Sequence, residues 1–302
     1  MILRDITNPL TTMSESKFLG RQVEYPQHYS PEMLVSVPRE INRKEYGLID
    51  GNLPFFGIDV WHAYEVSFLT KKGLPVSGVL KLTYPCSNPR IVESKSLKLY
   101  LNSFNMEQYG NTPDEGVRIV EEIIKNDLSV LLKTDIKLKI FTSEPVSTPF
   151  DYNEYVLLEE LPEAKCITFD TFKETPQLLT SDTKEEYSLQ FSTHLLRSNC
   201  KVTFQPDWGS AFIHIKGIDK PDLMSLLKYI ISFRNENHFH EEVCEMIYKR
   251  LWDTFQPDEL AVTCIYTRRG GIDITPVRVS HEKLLPIYLS NVNILSKKLL
   301  RQ

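Results

Sequence analysis

The chain has 302 residues, 41% of them hydrophobic and 25% charged, so it can bury a large core as one or two globular domains. Its formal net charge of -5 disfavours nucleic-acid binding, which needs clustered Lys and Arg to neutralise phosphates. The opening MILRDITNPLTTMSESK lacks the apolar run of a signal peptide, and no stretch approaches the roughly 20 apolar residues that span a bilayer. We therefore expect a protein that acts on a small molecule, away from membranes.

The five cysteines are odd in number, widely spaced and without a CxxC pair. This pattern predicts neither a disulfide framework nor a thiolate zinc site. A reducing, cytoplasmic location is therefore expected.

The first half of the chain predicts a β-hairpin, a helix and a further strand. Residues 1–50 are rich in Pro, Ser, Asn and charge, which indicates a mostly irregular lead-in that caps the body. HAYEVSFL and VSGVLKLTY, joined by a KKGLP turn, predict the hairpin. Thr112, Pro113 and Glu115 are typical of a helix start, and apolar residues then recur at steps of three and four over 117–131. KLKIFTSE predicts the strand.

The residue pattern of the second half weakly repeats that of the first half. CKVTFQ, SAFIHIKG, AVTCIYT and GIDITPV predict strands, and helices are expected from Pro221 to about Phe233 and from about Phe239 to Phe255. The Gly pair in TRRGGID is typical of a hairpin turn. Chance similarity between two segments of this kind is the alternative to duplication. We predict an α+β fold with an antiparallel sheet and helices on one face in each half.

Two common nucleotide-binding motifs are absent from the sequence. Neither GxGxxG nor GxxxxGK[ST] occurs. A Rossmann dehydrogenase or P-loop enzyme is therefore disfavoured, and any nucleotide must be held differently.

HLLRSNCKVTFQPDWGS places Cys200 at the start of a predicted strand and Asp207 after a bend at Pro206. The bend could bring the carboxyl toward the sulfur, where it would serve better as a proton donor than as an activator of a thiolate. An inert packed cysteine is the alternative, because free Cys is among the most buried residue types. The polar RSN before Cys200 favours a segment that meets solvent or ligand.

NENHFHEEV offers a second candidate site, at the start of the last long helix. His238, His240 and Glu241 lack the HExxH spacing of a zinc site. The carboxylates could simply stabilise the helix dipole. Alternatively, Glu241 could accept hydrogen bonds from the ring N–H and amine of a guanine-like base, while Phe239 stacks and His240 donates.

Two further segments carry cations. Lys95 and Lys98 of ESKSLKLYLNSF could hold phosphates, or could lie on an exposed strand edge. Arg268 and Arg269 of TRRGG could bind a pyrophosphate or a 2'-phosphate, or could form an exposed hairpin tip.

In this order, ESKSLKLYLNSFN, SNCKVTFQPDWGS, FHEE and YTRRGGIDI closely resemble 7-cyano-7-deazaguanine reductase, the QueF family of queuosine biosynthesis, in its longer bimodular form. The resemblance runs from about Gly20 to Gln302, and fold relatives such as GTP cyclohydrolase I lack the ESKSxK element. It implies a tunnelling fold (T-fold) of two tandem ββααββ modules that associates into a homodimer. The expected division is a lead-in at 1–50, a first module at 51–180 with the ESKSLK element, and a second at 181–302 with the catalytic pair.

The resemblance also implies the activity, in which 7-cyano-7-deazaguanine is reduced to its aminomethyl product with two NADPH. Cys200 would attack the nitrile carbon to form a covalent thioimide, and Asp207 would donate protons. The implied substrate-binding residues are Val92, Glu93, Ser94, His240 and Glu241. The implied NADPH contacts are Ser94, Lys95, Arg269 and Gly270. No metal is implied, and Lys95 and Arg269 are both candidates for the 2'-phosphate.

Two alternative functions belong to other classes. A hydrolase or synthase of the same superfamily, acting on GTP or a pterin, would need zinc, and the necessary Cys–His spacing is missing. A purine-binding module without catalysis is disfavoured by the intact Cys200 and Asp207. For the reductase, a water-excluding lid is expected, with Phe239 and the lead-in as candidates, because the imine intermediate would hydrolyse.

Overall fold

The computed structural model describes residues 25–302, so the start of the lead-in and of the family resemblance lies outside the described residues. The strands are β1 (Ser36–Pro38), β2 (Phe56–Leu69), β3 (Pro75–Pro85), β4 (Arg90–Val92), β5 (Lys137–Phe141), β6 (Val156–Leu157), β7 (Ser181–Asn199), β8 (Pro206–Pro221), β9 (Glu259–Tyr266) and β10 (Ile272–Val279). The α-helices are α1 (Glu40–Arg43), α2 (Ser94–Asn102), α3 (Pro113–Leu132), α4 (Leu223–Ser232), α5 (His240–Phe255) and α6 (Ile287–Ser290).

An eight-stranded sheet in the order β5-β3-β2-β10-β9-β8-β7-β6 runs through both halves of the described chain. Its pairs are antiparallel except for β6 and β7. The two halves meet at β2 and β10, which pair from Phe56↔Val279 to Ala63↔Ile272. The strands therefore form one continuous sheet, whereas the sequence pattern predicted a sheet in each half.

The predicted α+β class is confirmed. In the second half the element order is β7, β8, α4, α5, β9, β10, and in the first half it is β2, β3, β4, α2, α3, β5, β6. Each half contributes four strands to the large sheet, namely β2, β3, β5 and β6 from the first half and β7, β8, β9 and β10 from the second. The short β1 and β4 pair separately, so the lead-in has some regular structure between 36 and 43.

Helix α3 and the hairpin β2–β3 form where the sequence predicts them. The Thr112 hydroxyl accepts a hydrogen bond from the Glu115 N–H at the start of α3, and Pro113 occupies the first helical position. The Glu115 carboxylate accepts from the Asn111 N–H, one residue before the cap. The apolar face buries Val120 and packs it on the sheet. The helices α4 and α5, the strands β9 and β10, and the glycine turn before β10 also agree with prediction.

Two segments differ from their predicted structure. CKVTFQ was expected to be a strand, but residues 200–205 form a turn between β7 and β8. The turn closes on itself, because the Cys200 N–H donates to the Gln205 carbonyl and the Phe204 N–H donates to the Cys200 carbonyl. The strand-edge interpretation of ESKSLKLYLN is also wrong, since this segment is helix α2.

Two apolar clusters hold the helices against the sheet. One packs α4 and α5 on β7, β8 and β9, and the other packs α2 and α3 on β2 and β3. A third cluster on the sheet brings in Tyr152 and Leu289 from the connecting and C-terminal segments. Helix α1 is held to α5 by buried ion pairs from Arg43 to Glu245. These contacts place the ends of α2 and α5 beside the turn that carries Cys200.

Candidate active site

A cavity of about 500 Å³ lies where α2, the start of α5 and the turns at 200–205 and 267–271 come together. This volume is in the range typical of small-molecule sites. The residues singled out from the sequence as catalytic, substrate-binding or cofactor-binding all line it: Val92, Glu93, Ser94, Lys95, Cys200, Asp207, His240, Glu241, Arg269 and Gly270. The structure thus brings together residues from both halves of the chain, whose individual roles stay predictions.

Cys200 is distinguished from the other cysteines by its position. Cys86, Cys244 and Cys264 are buried and Cys166 is exposed, whereas Cys200 is half-buried and lines the cavity. Its turn is held at the N-terminal side, since the Asn199 N–H donates to the Glu236 carbonyl at 2.7 Å and the Asn199 carbonyl accepts from the His238 N–H at 3.0 Å. The inert-packing alternative therefore suits the three buried cysteines better than it suits Cys200.

Asp207 is the second residue of β8 and its side chain is only 3% exposed. It lies 3.3 Å from His240 Nε2 and forms an ion pair with Arg269. Burial raises the pKa of Asp207, but the hydrogen bond and charge of His240, followed by those of Arg269, outweigh burial and lower the pKa below its ordinary value. In this arrangement the carboxyl group is ionised at neutral pH.

The start of α5 presents two polar atoms that lack partners among residues 25–302. They are Oε1 of Glu241 and Nδ1 of His240, whose ring stacks on Tyr266 at 3.8 Å between centroids. Burial, and then the charge of Asp59, raise the pKa of Glu241 to about 7. Because an unsatisfied buried acceptor is costly, this carboxyl group is suited to a ligand that donates hydrogen bonds.

Glu93, a third acidic residue of the cavity beside Asp207 and Glu241, has a different role. Its carboxylate caps α2 by accepting hydrogen bonds from the Lys95 N–H at 2.9 Å and the Ser96 N–H at 2.7 Å. Burial raises the pKa of Glu93, while these two donors oppose the rise. Both oxygens of Glu93 therefore have a partner in the protein, whereas Oε1 of Glu241 has none among residues 25–302 and is available to a ligand.

Three cationic side chains line the cavity, those of Lys95, Lys98 and Arg269. Lys98 lies 3.4 Å from Glu65 and packs against the glycine turn, where a Cβ on Gly270 would come within 3.5 Å of its Nζ. Gly270 and Gly271 both have positive φ, and a Cβ on Gly271 would collide with Glu65. This turn therefore favours glycine because of the positive φ of its backbone.

The structure separates the paired arginines of TRRGG. Arg269 lines the cavity, whereas the Arg268 guanidinium lies 3.4 Å from the centre of the Tyr64 ring and is not among the described residues that line the cavity. The three cavity cations and the glycine turn suit the phosphates of a dinucleotide, and the free Glu241 oxygen suits a base. The residues present therefore fit an NADPH site next to a purine-like site.

Several cavity residues were not predicted from the sequence. Gln205 and Thr203 hold the Arg269 guanidinium at 2.6 and 3.5 Å, respectively. The apolar wall comes from residues of β2, β4, α2 and β10: Trp61, Ile91, Leu99, Ile272 and Ile274. Nε1 of Trp61 is buried and lacks a partner among the described residues. Gln205 could have been suspected from its place between Cys200 and Asp207, but the wall depends on strand pairing between the halves.

Fold and cavity together define an α+β protein in which a half-buried cysteine and a buried carboxylate face a small-molecule site rimmed by cations. Two family profiles match this chain. One, described as "Nitrile reductase, 7-cyano-7-deazaguanine-reductase N-term", covers residues 25–140, and the other, described as "QueF-like protein", covers residues 206–284. The chain belongs to the QueF family.

Curated relatives match along nearly their whole length. An enzyme of Dechloromonas aromatica named NADPH-dependent 7-cyano-7-deazaguanine reductase is 41% identical over 93% of this chain and 96% of its own. Proteins of the same name from Acinetobacter baumannii and Colwellia psychrerythraea are 39% and 41% identical over 90% and 89% of this chain, and over 96% and 93% of their own lengths. A solved structure of the archaeosine synthase QueF-Like in the apo form is 15% identical, with a TM-score of 0.28 over 32% of this chain and 95% of that chain, which is too low to inform the fold.

Within residues 25–302, no helix is long and apolar enough to cross a bilayer. The same residues contain no group of three or more His, Cys, Asp or Glu side chains placed to hold a metal ion.

Proposed function

We propose that this protein is an NADPH-dependent nitrile reductase that converts 7-cyano-7-deazaguanine to 7-aminomethyl-7-deazaguanine. One observation carries the proposal: Cys200, Asp207 and Glu241, whose Oε1 has no partner among residues 25–302, line a single cavity in a chain 41% identical to a relative named for this activity. A zinc-dependent hydrolase of GTP or a pterin, and a purine-binding module without catalysis, are the alternatives.

Substrate recognition begins at Glu241. A deazaguanine carries a ring N–H and an exocyclic amine side by side, and the free Oε1 of Glu241 can accept from this edge. His240 has Nδ1 free for a further hydrogen bond, and Phe239 lines the cavity as a stacking surface. Val92, Glu93 and Ser94 also line the cavity. A substrate without the amine would leave the buried carboxyl unsatisfied, which is the physical basis of specificity here.

The chemical step begins with attack of the Cys200 sulfur, as thiolate, on the nitrile carbon. A C–S bond forms, one C–N π pair moves to the nitrogen, and that nitrogen takes a proton from the carboxylic acid form of Asp207, which becomes a carboxylate. A nitrile is a poor hydride acceptor because charge would build on an unactivated nitrogen, whereas the thioimide is a better electrophile. Covalent catalysis thus divides one difficult reduction into easier steps.

Ser94, Lys95, Arg269 and Gly270 would hold NADPH, with Lys98 alongside. When bound, NADPH supplies the hydride for each of the two reductions. After the first reduction the C–S bond breaks, its electron pair returns to the Cys200 sulfur as thiolate, and the imine that remains must be kept from water. Phe239 and the lead-in residues Tyr25 and Val37 line the cavity and are placed to exclude water.

We also propose a homodimer of chains that each contain two T-fold modules, at 51–180 and 181–302. The edge strand β5 supports this proposal, because it pairs only with β3 among the described strands and leaves one side open for a second copy. We further propose, as the family resemblance implies, that the reaction belongs to queuosine biosynthesis for tRNA modification, in the cytoplasm.

The direct test is consumption of NADPH on addition of 7-cyano-7-deazaguanine to the purified protein. The reductase predicts two NADPH oxidised per nitrile and formation of the amine. A hydrolase predicts turnover of GTP or a pterin with bound zinc and no NADPH oxidation. A binding module predicts saturable binding of the nitrile with no NADPH oxidation.

A further inference from the structure

Arg269 contacts the buried Asp207 carboxylate and is also partly exposed in the cavity. Nη1 pairs with Asp207 Oδ1, while Nη2 donates to Gln205 Oε1 at 2.6 Å. The Arg269 side chain is 35% exposed and the Asp207 side chain is 3% exposed. One guanidinium thus neutralises a buried carboxylate and remains accessible to a ligand beside Lys95 and Lys98.

This ion pair conflicts with the step proposed for Asp207, since a proton donor must hold a proton when the nitrile arrives. The charged and titratable groups around Asp207 are His240 on α5, Arg269 on the β9–β10 turn, Tyr266 on β9, Arg197 on β7 and Cys200 on the same cavity. His240 and Arg269 are the two in direct contact, and both favour the carboxylate when they carry a positive charge. Of these two, only Arg269 is always charged.

We propose that Arg269 couples cofactor binding to the proton donor: a phosphate of NADPH draws Arg269 away from Asp207, and the freed carboxylate takes up the proton that it later gives to the nitrile nitrogen. This inference rests on the proposed function above. A phosphate binds a guanidinium through two N–H groups, which makes it a strong competitor for a single-ended contact to a carboxylate. The proton comes from solvent, so the uptake is carboxylate plus H⁺ giving carboxylic acid.

The coupling would order the reaction. Without cofactor, only a small fraction of Asp207 is protonated, so the adduct on Cys200 forms slowly. With cofactor, each unit by which the pKa of Asp207 rises increases its protonated fraction about tenfold, as long as the pKa stays below the pH. The covalent intermediate would therefore form fastest when the reductant is already present.

The test uses NADP⁺, which cannot reduce the adduct, and measures the rate of adduct formation on Cys200 by quenched-flow mass spectrometry. For the wild type, NADP⁺ should accelerate adduct formation about tenfold, the change expected for one pKa unit. Arg269→Ala should be fast without NADP⁺ and should not respond to it. Arg269→Lys keeps the charge and should stay slow without cofactor. Arg268→Ala, in the same turn but over Tyr64, is the matched control and should keep the response.

A second readout is proton uptake on NADP⁺ binding, measured by calorimetry in buffers of different ionisation enthalpy. The wild type should take up more protons on binding NADP⁺ than Asp207→Asn does. The variant lacks the titrating carboxyl group, whereas the phosphate of NADP⁺ titrates in both experiments. If NADP⁺ binds without changing the adduct rate, or if Arg269→Ala and Arg269→Lys both form adduct at the wild-type rate, the coupling is refuted while the proposed function stands. If no protein forms an adduct under any condition, the proposed function fails and the coupling with it.

Discussion

Glu241→Gln is expected to stabilise the ligand-free protein while weakening substrate binding. The structure raises the pKa of Glu241 from its ordinary value of 4.5 to about 7. The folded state therefore binds this proton more tightly than the unfolded state, and its stability falls as pH rises from 4.5 through 7. At 1.36 kcal/mol per unit, the ionised side chain costs about 3 kcal/mol above pH 7. Gln resembles the protonated form and removes this cost.

The measurement is urea denaturation of both proteins at pH 5 and pH 8, at equal protein concentration and without substrate. The variant should gain about 3 kcal/mol at pH 8 and less than about 1 kcal/mol at pH 5, by the same linkage. Substrate affinity should fall by roughly 10- to 100-fold at pH 8, because hydrogen bonds to a charged acceptor contribute about 1.5–3 kcal/mol.

Glu245→Gln is the matched control, one turn further along α5. Burial raises the pKa of Glu245, but Arg278 and Arg43 outweigh burial and lower it. Removing one partner from this buried network should destabilise the protein by about 3–5 kcal/mol at pH 8. If Glu241→Gln also destabilises the protein at pH 8, Glu241 has a partner there and the reasoning is refuted.

Other variants separate the remaining roles. Cys200→Ala should abolish turnover while the protein stays folded and binds the nitrile non-covalently; collapse of folding, seen by circular dichroism, would favour a packing role. Asp207→Asn should lose reduction severely and keep part of adduct formation, so normal NADPH oxidation would remove Asp207 as proton donor. Lys98→Ala should raise KM for NADPH about tenfold with little change in kcat, because one charge-assisted contact to the cofactor is lost. Lys125→Ala, on the exposed side of α3, should leave KM unchanged, and an equal rise in both variants would remove Lys98 from the cofactor site.

Local patterns in the sequence explain which elements could be predicted. Helix α3 carries a Thr cap, Pro113 and a periodic apolar face within one segment, so no distant contact is needed to recognise it. The β2–β3 hairpin is likewise recognisable locally, because apolar and polar residues alternate in the segments on both sides of a short turn. Helix α2 is different, because its cap is Glu93, a residue type that is not among the preferred caps, and its boundaries were therefore missed.

The turn at Cys200 and the joining of the halves depend on contacts that a local pattern does not contain. The turn is held to Glu236 and His238, and the continuous sheet needs β2 to pair with β10, more than 200 residues later along the chain. The site residues were found through the resemblance to a family rather than through periodicity. The resemblance did not show how the roles differ within the cavity. Glu93 caps a helix, Oε1 of Glu241 has no partner among the described residues, and Arg269 forms an ion pair with Asp207.

The central claim is covalent attack by Cys200 on the nitrile, and peptide mass spectrometry tests it most directly. The protein is mixed with 7-cyano-7-deazaguanine without NADPH, digested, and compared with a sample chased with NADPH. We predict a mass increase equal to the whole nitrile on the peptide that contains Cys200, which disappears in the chase as the amine is released. No adduct, or an adduct on the exposed Cys166 instead, would contradict the account.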